Sequence, residues 1–215
     1  MDLDVEQLPL GAFQSNCYVV RQPDADEAVV VDPGWPGESA RIEAALADAR
    51  CAGILVTHGD IDHVAGVAEL AEATGAPVHI AESERDRLER IEDFVPAGID
   101  VVPRAHVPEV LLSGDEQLEL AGIRFQTLRV PGHTAGHLAF AAEGCLFSGD
   151  LLFAGSVGRV DRPGGSWEAL LDSIRGLVER LPPETTVYPG HGPATTLRRE
   201  LETNPFLADL RAAAQ

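Results

Sequence analysis

Two continuous apolar runs constrain the fold of this chain more than any other feature. Residues 28–31 (AVVV) and 53–57 (GILVT) are rich in β-branched side chains and show no polar alternation. Both are therefore predicted to be strands that are buried on both faces. Residues 38–49 lie between them and place Ile42, Ala45 and Leu46 on one stripe, which predicts a helix that covers the strands.

The same mixture of strand and helix patterns continues along the chain. Short apolar runs bounded by turn residues predict strands at residues 17–20, 78–81, 116–120, 123–130, 138–142, 145–147 and 186–188. Helical spacing predicts helices at residues 64–74, 84–91, 172–181 and 195–202, with Ser83 as the cap of the second and Ser166 near the start of the third. Residues 94–108 contain three prolines and are predicted to form a long irregular loop. Since strands and helices mix in each half and no linker is visible, residues 1–215 are predicted to form one α/β domain.

The charge balance excludes several classes of function. Sixteen basic residues, all arginine, face 35 acidic residues, and the net charge is −19. Nucleic acids and anionic membrane surfaces are therefore not expected as partners. No apolar run approaches the ~20 residues of a membrane span, and the acidic N-terminus lacks a secretory signal pattern. Cys17, Cys51 and Cys145 are odd in number and far apart, which favours a cytoplasmic location; the oligomeric state stays open.

One short stretch carries most of the chemical information. Residues 57–63 read THGDIDH and place four potential metal ligands directly after a predicted buried strand and before a predicted helix. Asp62 and His63 are adjacent and must point in different directions, which suits two neighbouring metal ions better than one. Taken alone, the stretch also fits an alternative in which Asp60 or Asp62 only caps the next helix and the histidines lie on the surface.

Three further stretches favour the metal site. Residues 131–137 (PGHTAGH), 148–150 (SGD) and 188–192 (YPGHG) each place a histidine or an aspartate in a glycine-rich turn just after a predicted strand. Open α/β sheets build their sites at such strand ends, and glycine lets the backbone approach a ligand closely.

These stretches resemble the metallo-β-lactamase superfamily. Five motifs occur in order, at residues 30–34, 58–63, 132–134, 148–150 and 190–192, and span nearly the whole chain. Within the superfamily, residues 149–159, 163–165, 188–196 and 204–206 resemble small bacterial proteins of the glyoxalase II (hydroxyacylglutathione hydrolase) type. The resemblance implies a four-layer αβ/βα sandwich with metal ions at one edge.

The resemblance also implies a ligand set and two divalent metal ions. One metal ion would be held by His58, Asp60 and His133, and the other by Asp62, His63 and His191, with a bridging carboxylate from Asp150. The family favours zinc, whereas imidazole and carboxylate ligands by themselves do not decide among Zn, Fe and Mn.

Asp60 departs from the family pattern, which usually has a histidine at this position. If Asp60 is a ligand, the added negative charge lowers the Lewis acidity of the centre and favours harder ions such as Fe or Mn. If the aspartate is too short to reach, the first site is weak or empty. Because His58 and His133 are both retained, we favour the first interpretation.

The predicted reaction is hydrolysis of a small acyl-thiol by a metal-bound hydroxide, with Asp62 as the catalytic residue that orients the nucleophile. Arg159 is the predicted substrate-binding residue, since a cation after this glycine-rich turn contacts glutathione carboxylates in glyoxalase II; a salt bridge to Asp161 is the alternative. Asp32 is predicted to form an Asx turn, to orient a ligand histidine, or to do both. Thr134, Ser148 and His137 are expected to support the site or to be ordinary structural groups.

Other functions remain open at this point. The same site could hydrolyse a lactone or a phosphoester. A mononuclear iron centre would resemble persulfide dioxygenases, which share the fold. A non-catalytic metal-binding or partner-binding protein is favoured only if Asp60 has disabled the site.

Overall fold

The computed structural model describes residues 3–213. Its strands are β1 (Asp4–Leu10), β2 (Ser15–Arg21), β3 (Glu27–Val31), β4 (Arg50–Leu55), β5 (Val78–Ala81), β6 (Val110–Leu112), β7 (Gln117–Leu120), β8 (Ile123–Arg129), β9 (Leu138–Ala142), β10 (Cys145–Gly149), β11 (Leu152–Phe153), β12 (Ser156–Val157), β13 (Thr186–Pro189) and β14 (Thr195–Thr196). Its α-helices are α1 (Ser39–Leu46), α2 (Ile61–Val64), α3 (Val67–Thr74), α4 (Asp86–Glu89), α5 (Trp167–Arg180), α6 (Leu197–Thr203) and α7 (Ala208–Ala213).

Two mixed sheets form the centre of the molecule. The first has the strand order β1-β2-β3-β4-β5-β6, and the second has the order β14-β13-β10-β9-β8-β7. In the first sheet, β3, β4, β5 and β6 run parallel. In the second, β10 and β13 are parallel, and β8 runs in the same direction because both β8 and β10 are antiparallel to β9. The strand ends that precede the predicted ligands therefore lie at one edge of each sheet.

Three apolar clusters show how the layers stack. The cluster between the sheets combines residues of β2 and β3, such as Val20 and Val31, with residues of β9 and β10, such as Phe140 and Phe147. A second cluster packs the outer face of the first sheet against α1 and α3. A third packs the outer face of the second sheet against α5, α6 and α7. The order helix, sheet, sheet, helix confirms the predicted four-layer αβ/βα sandwich.

The helix predicted at residues 64–74 is divided in the structure. Its first part is α2, which begins earlier at Ile61, and its second part is α3. Gly66 separates them because its N–H donates to the carbonyl of Gly34, and a Cβ at this position would lie 2.8 Å from the carbonyl oxygen of Pro33. The predicted C-cap at Gly75 is confirmed by its left-handed conformation.

The helix predicted at residues 84–91 is wrong in its length and in its cap. A 3₁₀ turn (Glu82–Glu84), the short α4 and a second 3₁₀ turn (Ile91–Phe94) replace it, and Ser83 caps none of them. The physical reason is that Glu84 turns inward and its carboxylate accepts hydrogen bonds from two distant loops. A helical periodicity in the sequence does not report such a contact.

The other differences concern edges and short segments. The first two residues of the helix predicted at residues 195–202 form β14, and α6 follows with Thr196 as its cap. The sequence did not predict β1 or the short strands β6, β11 and β12. All residues of β1 except the last are exposed or half-buried. Ser166 caps α5 as predicted, and residues 95–108 form neither helix nor strand.

Among residues 3–213, no helix has both the length and the apolar character that crossing a membrane requires.

Candidate metal centre

Five loops at one edge of the two sheets supply the polar side chains of the site. The loop after β4 carries His58, Asp60, Asp62 and His63, and α2 starts within it. The loops after β3, β8, β10 and β13 carry the remaining predicted residues, which are Asp32, His133, Asp150 and His191. Each loop follows a strand of the same sense in its sheet, so the side chains converge.

His58, Asp60 and His133 form the first group of potential ligands. Their nearest nitrogen and oxygen atoms all lie within 4.8 Å of one another, and all three residues are buried. The His133 Nε2 atom lies 3.3 Å from the Asp60 Oδ2 atom. Asp60 occupies the N-cap position of α2, but its side chain makes no capping hydrogen bond. The carboxylate is therefore directed to the histidines and not to the helix, contrary to the capping alternative.

Asp62, His63 and His191 form the second group, also within 4.8 Å of one another. The Asp62 Oδ2 atom lies 3.2 Å from His191 Nε2 and 3.6 Å from His63 Nε2. His191 and Asp62 are partly exposed, whereas His63 is buried. This side of the site is therefore open to solvent.

Asp150 lies between the two groups. Its Oδ1 atom is 3.4 Å from His63 Nε2, and its Oδ2 atom is 3.6 Å from His191 Nε2 and 3.9 Å from His133 Nε2. Gly190 is required beside it, because a Cβ at this position would come 2.1 Å from Asp150 Oδ1. The arrangement places one carboxylate where it can contact an ion in either group.

The hydrogen bonds of the imidazole rings test whether these residues fit metal ions. The Nδ1 atom of His58 lies 3.0 Å from Thr57 Oγ1, that of His63 lies 3.1 Å from Asp32 Oδ2, and that of His133 lies 2.8 Å from the carbonyl oxygen of Arg159. A ring whose Nδ1–H is donated in this way leaves the Nε2 lone pair for a metal.

The Nε2 atoms of the same rings complete this test. Within residues 3–213, the Nε2 atoms of His58, His63 and His133 are buried and have no hydrogen-bond partner. Buried polar atoms are rarely left without a hydrogen-bond partner. A cluster of three such atoms therefore calls for an explanation, such as a bound ion. The donor set of four imidazoles and three carboxylates fits two divalent ions.

The pKa values of the carboxylates and of His58 are shifted in the direction that ligands need, whereas in His63, His133 and His191 the neighbouring carboxylates outweigh burial and raise the pKa. Burial lowers the pKa of His58 well below its usual value, and the neighbouring His63 lowers it further. Burial raises the pKa of Asp150, but the charges of His63 and His191 outweigh it and hold the pKa well below the ordinary range. The pKa of Asp62 is lowered for the same reason, with His63 outweighing burial. The carboxylates are therefore ionised at neutral pH.

Asp32 contacts the ring of His63, one of the candidate ligands. Its backbone has a positive φ of 50°, and the residue is only 2% exposed. The Oδ1 atom accepts from the Thr57 N–H, and the Oδ2 atom accepts from the Thr57 hydroxyl and faces His63 Nδ1. These contacts link the loop after β3 to the loop after β4.

Arg159 does not contact the site through its side chain. The guanidinium is exposed and forms a two-pronged ion pair with Asp161, at 2.6 and 2.7 Å, as the alternative interpretation expected. Its backbone carbonyl nevertheless holds His133. Ser148 donates to the carbonyl of Leu152 and is a turn hydroxyl, whereas His137 is buried with its ring centroid 4.8 Å from that of His58.

Two charged residues near the site were missed by the sequence reasoning. Arg162 donates from Nη1 to Asp60 Oδ2 at 2.6 Å. Glu84 is buried and accepts from the N–H groups of Gly59 and Gly136, at 3.3 and 3.1 Å. Neither stands next to a ligand in the sequence, and no local pattern distinguishes either from a surface charge.

Comparison with known proteins agrees with this geometry. Residues 10–191 match the family described as "Metallo-beta-lactamase superfamily". The hydroxyacylglutathione hydrolase GloC of Haemophilus influenzae is 34% identical over 214 residues, which cover 95% of this chain and 98% of that protein. The BLEG-1 B3 metallo-beta-lactamase is 34% identical with a TM-score of 0.88, and the match covers 95% of this chain and 100% of that one.

TTHA1623, solved in a di-iron-bound form, is 38% identical with a TM-score of 0.79, and the match covers 94% of this chain and 100% of that one. The family match, the relatives and the two groups of ligands around Asp150 agree. The chain belongs to the metallo-β-lactamase superfamily.

Proposed function

We propose that this metallo-hydrolase is a thioesterase of the glyoxalase II type that acts on a small acyl-thiol. The observation that carries the proposal is the pair of ligand groups on either side of Asp150, with the Nε2 atoms of three buried rings directed inward. The name of the GloC relative, which matches along 95% of this chain, supports the choice of a hydroxyacyl thioester.

The residues divide the task between binding ions and orienting the reacting groups. His58, Asp60 and His133 would hold one divalent ion, Asp62, His63 and His191 the other, and Asp150 would contact both. When bound, such ions lower the pKa of water and polarise a carbonyl oxygen. A thioester suits this centre because its thiolate leaves without a strong general acid.

Asp62 is the proposed catalytic residue. It lies in the second group with part of its carboxylate exposed, on the open side of the site. Burial and the nearby His63 act in opposite directions, and the net effect lowers the pKa of Asp62, so the group accepts a hydrogen bond and does not donate one. This orients an attacking water towards the carbonyl carbon.

Two divalent ions are the proposed cofactors. The family favours zinc, and the di-iron form of TTHA1623 makes iron a specific alternative. Elemental analysis of the protein purified without chelator measures both the identity and the number of ions per chain, and two per chain are expected.

The test of the function compares substrates at known metal content. Protein loaded with two ions per chain is assayed with S-lactoylglutathione, with acyl esters of other thiols, and with lactones. Turnover of a thioester, lost in Asp62→Asn at equal metal content, is the expected result. Absence of thioester turnover in the fully loaded protein removes the proposal. Oxygen uptake with a thiol persulfide and a single iron per chain would favour the dioxygenase alternative.

A further inference from the structure

The carboxylate that stands in the unusual ligand position is bound by a cation. Arg162 Nη1 donates to Asp60 Oδ2 at 2.6 Å, and the same oxygen faces His133 Nε2 at 3.3 Å. The Asp60 side chain is 8% exposed, whereas that of Arg162 is 41% exposed. The guanidinium therefore approaches from solvent and binds the oxygen that faces the first ligand group.

The loop that carries Arg162 is attached to the first group. The Arg159 carbonyl accepts from His133 Nδ1, and the Ser166 N–H donates to the Gly132 carbonyl. The loop is also tight, since a Cβ at Gly165 would lie 2.3 Å from the carbonyl oxygen of Val160. Arg162 is thus brought to Asp60 by a segment whose two ends are held to the loop of a ligand.

Asp60 and Arg162 together carry no net charge. An imidazole ligand at position 60 would be neutral, whereas an aspartate adds one negative charge to those of Asp62 and Asp150. The cation of Arg162 offsets that charge. Because the interaction of two charges falls with distance, a guanidinium bonded to the ligand oxygen affects the affinity of a nearby divalent ion more than any distant arginine does.

We propose that Arg162 is a positioning residue that acts through Asp60: it is the counterion of this carboxylate and sets the affinity of the first metal site. The inference rests on the two-ion centre proposed above. It also removes the basis for expecting Fe or Mn on charge alone, because the Asp60–Arg162 pair replaces one neutral ligand by another neutral unit.

The test is a double-mutant cycle on metal binding. Arg162→Met, Asp60→His and the double variant are compared with the unaltered chain, and Arg162→Lys serves as the conservative variant. Arg175→Met is the matched control, because it breaks an exposed Arg–Asp pair with Asp172 on α5 and changes the net charge equally. Zn²⁺ affinity is measured by titration against a competing chelator, with the first-site event identified by its loss in His133→Ala. The melting temperature of each metal-free protein is a second readout.

In the Asp60 background, Arg162→Met is expected to raise the first-site affinity for Zn²⁺ about tenfold, because an uncompensated carboxylate then faces the ion. It is expected to lower the melting temperature of the metal-free chain by about 2–4 °C, because the buried carboxylate loses its cation. In the Asp60→His background the same substitution is expected to change the affinity by less than about twofold, since the guanidinium has no carboxylate to bind. Arg162→Lys is expected to stay within about threefold of the unaltered chain.

An equal effect of Arg162→Met in both backgrounds overturns the inference, as does an effect no larger than that of Arg175→Met or a fall in affinity. If neither the unaltered chain nor Arg162→Met binds a first-site ion, the two-ion centre and this inference both fail. If both ions bind and the cycle behaves as expected but no thioester is hydrolysed, only the proposed reaction fails.

Discussion

At the scale of single residues, the site depends on the second nitrogen of each ring. His58, His63 and His133 donate Nδ1–H to a hydroxyl, a carboxylate and a backbone carbonyl respectively. These partners select the tautomer and the direction of the Nε2 lone pair. A change in a residue that contacts no ion should therefore alter metal binding.

Asp32→Asn tests this dependence. The amide keeps a similar shape but loses one acceptor and the negative charge beside His63, so the ring is held less firmly. Metal affinity of the second group is expected to fall about 10–100-fold, as for other residues that orient metal-bound histidines. Chelator competition measures it. Asp24→Asn is the matched control, because Asp24 also has a positive φ, of 60°, and is exposed far from the ligands; an equal loss in both variants would contradict the orienting role.

Arg159→Met tests the predicted substrate contact. Its ion pair with Asp161 is exposed and screened by solvent, so a carboxylate of the substrate can replace Asp161. A several-fold increase in KM with little change in kcat is expected for an anionic thioester. The reference is Arg175→Met, and an unchanged KM for Arg159→Met would show that the side chain takes no part in binding.

At the scale of elements, buried polar contacts link the loops that the sheets bring to one edge. Glu84, from the segment that the sequence predicted as a longer helix, binds Gly59 in one ligand loop and Gly136 in another. Both positions must be glycine, since a Cβ at Gly59 or Gly136 would lie within 2.4 Å of a neighbouring side-chain atom. The interrupted helix is thus the local consequence of a contact between loops.

Glu84→Gln measures the value of this contact. The amide oxygen can accept a hydrogen bond from only one of the two backbone N–H groups. The NH₂ group of the amide then faces the other donor. A buried donor without a partner costs about 1–3 kcal/mol, so the free energy of unfolding should fall by that amount and first-site metal affinity should fall with it. Denaturant unfolding is the measurement. Glu82→Gln, an exposed neighbour, should have no effect, and equal stabilities of the two variants would refute the linking role.

At the scale of the whole molecule, the centre joins the two sheets. The first sheet supplies the loops after β3 and β4, and the second supplies those after β8, β10 and β13. The core between the sheets connects them already, and ions bound at this edge would add a second, direct connection between the two sheets. The carboxylates of Asp62 and Asp150 repel each other, and bound cations would relieve this repulsion.

Metal removal should therefore destabilise the entire fold. An ion present at 100 times its dissociation constant contributes about 2.7 kcal/mol, and each kcal/mol shifts the melting temperature of a chain of this size by about 2–4 °C. Dialysis against a chelator is expected to lower the melting temperature by at least about 5 °C, and added Zn²⁺ to restore it. A chain emptied of metal, as checked by elemental analysis, that melted at the original temperature would contradict this coupling.

The sequence by itself determined the layered fold and the turns that carry the candidate ligands. Buried strands are recognisable because both faces are apolar, and His or Asp residues directly after them are brought to one edge by the common direction of the strands. The tertiary structure alone decided which nitrogen of each ring faces the centre, that Arg159 pairs with Asp161 while Arg162 reaches Asp60, and that Glu84 interrupts a helix. The reason is that most of these outcomes depend on long-range contacts, such as that of His133 with Arg159, 26 positions apart, and that of Arg162 with Asp60, 102 positions apart. Local patterning also does not distinguish Arg159 from Arg162.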